Sequence, residues 1–365
     1  MARPPLLLAA PTAFAGLPRT AARVLLVVLA LLVLAAIGTG TTPAPEATPP
    51  AGGHTDVALY GGIVEGVRHG GDYYTLAADA MRAGDYPLRP FFTMRLPTLA
   101  VASAALPARL PAMLLAALAL AVVLAWWERL RPLLARLPAR IAAVLLLLAG
   151  VFASFQPPLP LFHEAWAGLF VALSLARWRP GRAIEAIGWA LAAALIRETA
   201  IGYLLVMAAF ALVERRRREA GGWLAAIAVA AVVLAAHAVA VGRVTGPLDA
   251  ASPGWDGLLG IGFAGRSLAT STALVLLPPA LAAALLPLSL AGWAAWRDPL
   301  GRRTTATLAG YAALLALFAR ADNFYWALML APVALAGLVF LPDGLRDLAR
   351  AALDTRRITV RRVAR

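Results

Sequence analysis

Residues 194–220 read ALIRETAIGYLLVMAAFALVERRRREA, and their pattern decides the class of fold. An apolar run ends at Arg197-Glu198, a second covers 199–213, and four arginines, Arg215 to Arg218, follow at once. Each run is short against the roughly 20 residues a helix needs to cross about 30 Å of hydrocarbon. Fusing them into one helix would place the four arginines on the far side, so the spacing predicts two short helices meeting at Arg197-Glu198. Outward from here the pattern repeats. Apolar runs at 24–38, 110–127, 141–156, 162–176, 184–196, 222–242, 268–295, 305–319 and 325–341 are separated by connections of alternating character. Every second connection is rich in arginine: Arg19 and Arg23; Arg129, Arg131, Arg136 and Arg140; Arg177, Arg179 and Arg182; Arg215 to Arg218; Arg297, Arg302 and Arg303; and the tail from Arg346 to Arg365. Positive charge collects on the cytoplasmic side of spans, so the pattern predicts about ten transmembrane helices with both termini in the cytoplasm.

Composition agrees. The 365 residues are 61% hydrophobic and 14% charged, where soluble domains carry about 25% charged residues. Net charge is +14, and all 33 cations are arginine. Because the arginines fall between apolar runs instead of along one face, they report topology and argue against nucleic-acid binding. The absence of lysine excludes Schiff-base chemistry and a P-loop. The absence of cysteine excludes disulfides and thiolate chemistry, and the four histidines are too scattered to form a metal site. The first run is short enough for a signal peptide, but its long basic lead and the lack of a small-x-small site predict a retained span. The alanine-rich, lysine-free composition fits a GC-rich bacterial genome, so the expected location is the bacterial inner membrane.

The expected organisation is a cytoplasmic N-terminus (1–23), a multi-span domain (24–341) with a long outer loop (39–109), and a basic cytoplasmic tail (342–365). The loop opens on TGTTPAPEATPPAGG, a linker that cannot pack. After it, Val57, Tyr60, Ile63, Val64 and Val67 recur at helical spacing, predicting an amphipathic surface helix. A second such stretch covers Tyr73 to Met81, and a third Pro97 to Leu106. Among the loop's acids, Asp56 stands at the N-cap position of the first surface helix, and a carboxylate fixed beside headgroups suits proton abstraction from a hydroxyl. Asp72-Tyr73-Tyr74 is the rival, with aromatics fit to stack on a sugar or anchor in the interface. Further polar residues fall at the same face: Arg95, His163-Glu164, Arg197-Glu198, and Arg320 with Asp322. Neighbours in a helix do not face each other, so each of these reaches another helix or a ligand. Together they predict an outward cavity walled by Arg95, Arg197, Arg243, Arg266 and Arg320, suited to gripping a phosphate. His237 is expected to make a helix contact.

One span, a long outer loop with an early acid and surface helices, and an arginine-proline lead into the next span resemble the GT-C superfamily of membrane glycosyltransferases. The matching pieces are Asp56 with Tyr60, Gly70-Gly71-Asp72-Tyr73-Tyr74, Arg95-Leu96-Pro97, the 194–220 stretch, and ARADNFYWALMLAP at 319–332. The resemblance implies Asp56 as the catalytic carboxylate. It also implies a polyprenyl-phosphate-linked sugar as donor, held by the outer arginines; Tyr60, Asp72, Tyr73, Tyr74, His163, Glu164, Glu198 and Asp322 are the further substrate-binding candidates at the same face. The acceptor would be a glycan, lipid or protein. Two departures stand out. The loop has no Asp-x-Asp pair, so nothing in it points to a divalent cation, and no C-terminal stretch has soluble-domain composition. The competing class is a transporter or flippase for an anionic lipid or solute. Against it, the run interiors are almost purely Ala, Leu and Val, whereas transport coupling usually needs ionisable groups within the spans.

Overall fold

The computed structural model describes residues 5–41, 55–255 and 257–354. The Pro/Thr/Gly linker from residue 42 on and the end of the basic tail lie outside the described residues, while its first residues, Thr39 to Thr41, continue the first helix instead of starting the loop. The chain is all-helical, and no β-strand occurs among the described residues. In order the helices are α1 (Arg19–Thr41), α2 (Asp56–Arg68), α3 (Tyr73–Ala83), α4 (Thr98–Ala104), α5 (Leu110–Leu130), α6 (Leu137–Val151), α7 (His163–Arg177), α8 (Ile184–Ile196), α9 (Ile201–Val213), α10 (Arg217–Val244), α11 (Gly260–Thr270), α12 (Pro279–Ala295), α13 (Pro299–Phe318), α14 (Ala331–Ala334) and α15 (Leu341–Leu353).

Four segments, Arg19–Thr39, Leu110–Leu133, Leu137–Phe155 and Arg217–Val244, are long and apolar enough to cross a membrane. A bent pair, Ala321–Met329 with Ala331–Val339, adds a fifth if taken as one span. The membrane character also shows in what is left uncovered. Leu31, Leu124, Leu145 and Val232 are each at least 60% exposed, a pattern of outward apolar side chains that a lipid surround accommodates and water does not.

Two runs depart from their expected form. The run 268–295 is not one helix but two, α11 and α12, separated by a turn at Thr270-Ser271-Thr272 and a 3-10 segment, Ala273–Leu276. Pro278 and Pro279 set where α12 begins, because proline disfavours helical backbone in the residue before it and, lacking an amide to donate, suits the first turn of a helix. The run 325–341 forms 3-10 turns and the single turn α14, bent by 56°. The expected pair of short helices meeting at Arg197-Glu198 is present as α8 and α9.

The arginine-rich connections gather at one end of the bundle. Arg303 is fully buried, makes two hydrogen bonds to Glu214 at 2.9 and 2.8 Å, and lies 4.0 Å from the Trp178 ring centroid. Arg129 donates to the Ala176 and Trp178 carbonyls, and Arg297 to the Thr12 carbonyl at 2.7 Å. At the same end the Asp343 carboxylate of α15 accepts from the Leu6, Leu7 and Leu8 amides, strapping the N-terminal peptide to the bundle. The first loop lies at the opposite end. Arg82, at the end of α3, holds Asp249 at 2.8 Å and the Val244 carbonyl at 2.6 Å, so α3 is moored to the connection after α10. Arg68 closes the C-terminus of α4 by donating to the Ser103 and Leu106 carbonyls at 3.1 and 3.3 Å.

Candidate active site

A cavity of about 660 Å³ opens where the first loop, the α8–α9 corner and the 320–326 segment meet. Its walls carry Asp56, Tyr60 and Tyr73 from the first two surface helices and Arg95 from the chain before α4. Arg197 and Glu198 come from the corner, and Arg320 and Asp322 from the segment after α13. Eight of the fourteen residues expected at the site therefore meet in one space.

Asp56 does not cap α2. Thr55 does, its hydroxyl accepting from the Ala58 amide at 3.3 Å, and Asp56 takes the first helical position. There the helix dipole favours its negative charge, and its carboxyl is free to face the cavity. Tyr86, Arg95 and Tyr325 line the same cavity. Burial is the largest influence and pushes its ionisation above the usual carboxylate range. The Tyr86 hydrogen bond, the Arg95 charge and the Tyr325 hydrogen bond pull the other way, and Glu164 adds to the upward push.

Arg95 is held at both ends. Its carbonyl accepts from the Tyr73 hydroxyl at 2.6 Å, while its guanidinium lies 3.4 Å from the Tyr325 hydroxyl and 3.6 Å from Glu164. Glu164, on the first turn of α7, sits 2.7 Å from Arg197 Nε, and Arg197 also holds Glu198. The side chains of Glu164 and Arg197 are each 2% exposed, so the pair is a buried one. Arg320 and Asp322 pair more openly, at 2.6 Å with exposures of 30% and 47%. Glu164 thus stands behind the cavity wall as the counter-charge shared by Arg95 and Arg197.

Three other expected site residues take different positions. Asp72 is the N-cap of α3, accepting from the Thr75 amide at 3.0 Å and hydroxyl at 2.9 Å, which holds its carboxyl below the usual range. Tyr74 lies 3.2 Å from His237 Nδ1, and His237 Nε2 lies 3.1 Å from the Met94 carbonyl, which makes His237 the helix contact it was expected to be. His163 is buried against the Tyr60 ring at 5.4 Å and borders a small neighbouring hollow. Arg243 and Arg266, expected in the wall, are not part of it; Arg266 donates to the Thr39 carbonyl. Both lie in or beside helices whose facing could not be read from apolar runs alone.

The sequence reading passed over several residues that complete the walls: Tyr86, Phe162, Trp255 and Tyr325. Phe162 packs edge-on against both Tyr60 (6.3 Å) and Tyr325 (5.5 Å), joining first loop, α7 and last loop. The available signal was a tyrosine within three residues of an acid in a connection between apolar runs, as in Gly84-Asp85-Tyr86-Pro87 and Asp322-Asn323-Phe324-Tyr325. Among the described residues, no group of three or more His, Asp or Glu side chains is placed to hold a metal ion. No protein-family model matches the chain, and neither curated proteins nor solved structures yield a match.

Proposed function

We propose that the chain is a bacterial inner-membrane glycosyltransferase that moves a sugar from a polyprenyl-phosphate donor to an acceptor hydroxyl at the outer face. In this reading the chain crosses ten times, with both termini cytoplasmic and the 268–295 and 325–341 segments each counting as one broken crossing. One observation carries the proposal: a half-buried carboxylate, Asp56, shares a single cavity with the guanidinium groups of Arg95, Arg197 and Arg320.

The chemistry follows from that juxtaposition. The acceptor oxygen attacks the anomeric carbon on the face opposite the phosphate, Asp56 takes the hydroxyl proton, and the carbon–oxygen bond to phosphate breaks. Negative charge grows on the departing phosphate, and fixed guanidinium donors stabilise charge that develops in the transition state. Arg320 is the donor a phosphate reaches first, because its Asp322 pair is the most exposed of the three and exchanges at least cost. Arg95 and Arg197 remain neutralised by Glu164 and Glu198, so they shape the field more than they grip. Aromatic walls from Phe92, Phe162 and Trp255 exclude water around the sugar and limit hydrolysis.

The test incubates membranes containing the protein with labelled polyprenyl-phosphate sugars and follows label into a new product. Wild type should transfer, and Asp56→Asn should not, at equal membrane abundance. Asp79→Asn and Asp85→Asn, both exposed positions outside the cavity wall, should retain activity. Full transfer by Asp56→Asn would remove it as the base. Donor binding without turnover in wild type would favour transport.

A further inference from the structure

We propose that a hollow at the C-terminal end of α9 is a lipid site: it holds the phosphate of an anionic phospholipid between Arg215 and Arg217, with an acyl chain against Leu212. The site is separate from the Asp56 cavity and does not depend on the reaction carried out there.

The hollow has a volume of about 300 Å³ and is lined by Ala211, Leu212, Arg215 and Arg217. The end of α9 supplies its apolar side, and the turn into α10 its charged side. Leu212 is 55% and Val213 81% exposed, an arrangement that water penalises and a lipid chain accepts. Two guanidinium groups beside an apolar wall match a phospholipid at the level where its headgroup joins its chains. A soluble phosphate would engage the arginines and leave Leu212 and Val213 uncovered.

The backbone of Arg215 supplies a second, independent observation. α9 closes in a turn in which the Arg215 amide donates to the Leu212 carbonyl at 3.0 Å and the Arg216 amide to the Ala211 carbonyl at 2.8 Å. The residue at the centre of such a turn takes a left-handed backbone, and glycine is usual there because it has no Cβ to clash. Here that residue is an arginine, at φ 57°. Backbone strain that persists in a folded chain is a mark of function.

The acids nearby are already engaged. Glu214 lies 2.8 Å from Arg303, 3.0 Å from Arg216 and 3.4 Å from Arg302. Glu219 accepts from the Trp178 indole at 2.7 Å and lies 3.7 Å from Arg216. Among the described residues no carboxylate pairs with Arg215 or Arg217. Other arginines at this end of the bundle are tied inward, Arg129 to the Ala176 and Trp178 carbonyls and Arg297 to that of Thr12. Arg215 and Arg217 instead keep their donors for a ligand, and a guanidinium grips phosphate oxygens through two parallel hydrogen bonds.

The experiment uses the purified full chain in neutral detergent, with phosphatidylglycerol or phosphatidylcholine added as mixed micelles. Native mass spectrometry reads bound lipid, and thermal unfolding reads stability. Phosphatidylglycerol should bind and raise the unfolding temperature, and phosphatidylcholine should do neither. Arg215→Gly should be more stable than wild type without lipid, because glycine takes φ 57° without strain. It should nevertheless bind phosphatidylglycerol about fivefold more weakly and gain less stability from it. Arg217→Gln should lose affinity by about the same factor. Arg218→Gln removes the same charge from the same cluster without touching the lining, and should bind as wild type does. Equal losses in all three variants would mean diffuse surface attraction and overturn the site. Undiminished stabilisation of Arg215→Gly by phosphatidylglycerol would overturn it too. Inorganic phosphate that displaces the lipid and stabilises the chain as strongly would make a soluble anion the ligand and overturn the lipid assignment.

Discussion

Gly168→Ala should damage this protein far beyond the size of one methyl group. Gly168 is buried in α7, one turn after Glu164, where the helix runs against the 321–329 segment that carries Tyr325. A Cβ at Gly168 would stand 2.1 Å from the Leu328 carbonyl oxygen, 2.9 Å from its carbon and 3.0 Å from Met329 Cα. All three are backbone atoms, so no rotamer change relieves the clash. A carbon–oxygen contact settles at about 3.3 Å, which requires the two segments to part by roughly 1.2 Å. Overpacking costs about 1–3 kcal/mol, and a collision with backbone belongs at the upper end. Replacing glycine by alanine in a helix returns about 1 kcal/mol, leaving a net loss of about 2 kcal/mol. The same displacement pulls Tyr325 from Arg95, whose contact is already long at 3.4 Å. A misplacement of about 1 Å can cost about a hundredfold in rate. Gly188→Ala is the counterpart, since Gly188 is exposed in α8 with nothing within 4 Å of its virtual Cβ. It should be neutral or stabilising by up to about 1 kcal/mol. Reversible unfolding in detergent and sugar transfer measure the two effects. A Gly168→Ala protein with wild-type stability and turnover would refute the reasoning.

Four further outcomes are expected. Arg197→Met strands Glu164 and Glu198 and should cost about 3–5 kcal/mol of stability, with Glu164→Gln in the same chain recovering part of the loss. Arg320→Lys should fold within about 1 kcal/mol of wild type, because its pair with Asp322 is exposed, yet raise the KM for a phosphate-linked donor, since lysine lacks the planar fork. Asp56 ionises above the ordinary carboxylate range when folded, so its contribution to stability is present at low pH and lost as pH rises through the folded value. Asp56→Asn should accordingly be at least as stable as wild type near pH 7, with the difference fading below about pH 4 in a denaturation series. Reporter fusions after Arg140, Arg182, Arg218 and Arg303 should read cytoplasmic, and one near Gly84 outer; an outer signal beyond Arg218 would undo the ten-crossing arrangement.

Much of the architecture was legible before folding. The surface helices predicted from 57–67 and 73–81 are α2 and α3, and the break at Arg197-Glu198 falls between α8 and α9. Arginine clusters that alternate along the chain converge at one end, as Arg129, Arg297 and Arg303 illustrate. These features are one-dimensional: helix length, periodicity and the cost of carrying a guanidinium through hydrocarbon act on each segment by itself. Asp56, Tyr60 and Arg95 could be placed together because they fall in one connection between two apolar runs, which must lie at one end of both.

The facing of the long apolar helices could not be read this way. In a bundle surrounded by lipid, core-facing and lipid-facing positions are both apolar, so the contrast that orients a helix in water is missing. Arg243 and Arg266 consequently looked like cavity walls and are not, while Asp72 and Tyr74 face a helix cap and His237. Nor does any local pattern join Tyr86 to Tyr325, which are separated by most of the chain. The packing of Phe162 between Tyr60 and Tyr325, and the close passage of α7 against the 321–329 segment at Gly168, bring Tyr325 to the cavity that Asp56 and Tyr86 also line. The sequence by itself determined where helices begin, break and carry charge, because each of those is decided within a segment. The tertiary structure decided which tyrosines line the cavity with the carboxylate and which arginines share Glu164, because those depend on how tightly distant backbones approach.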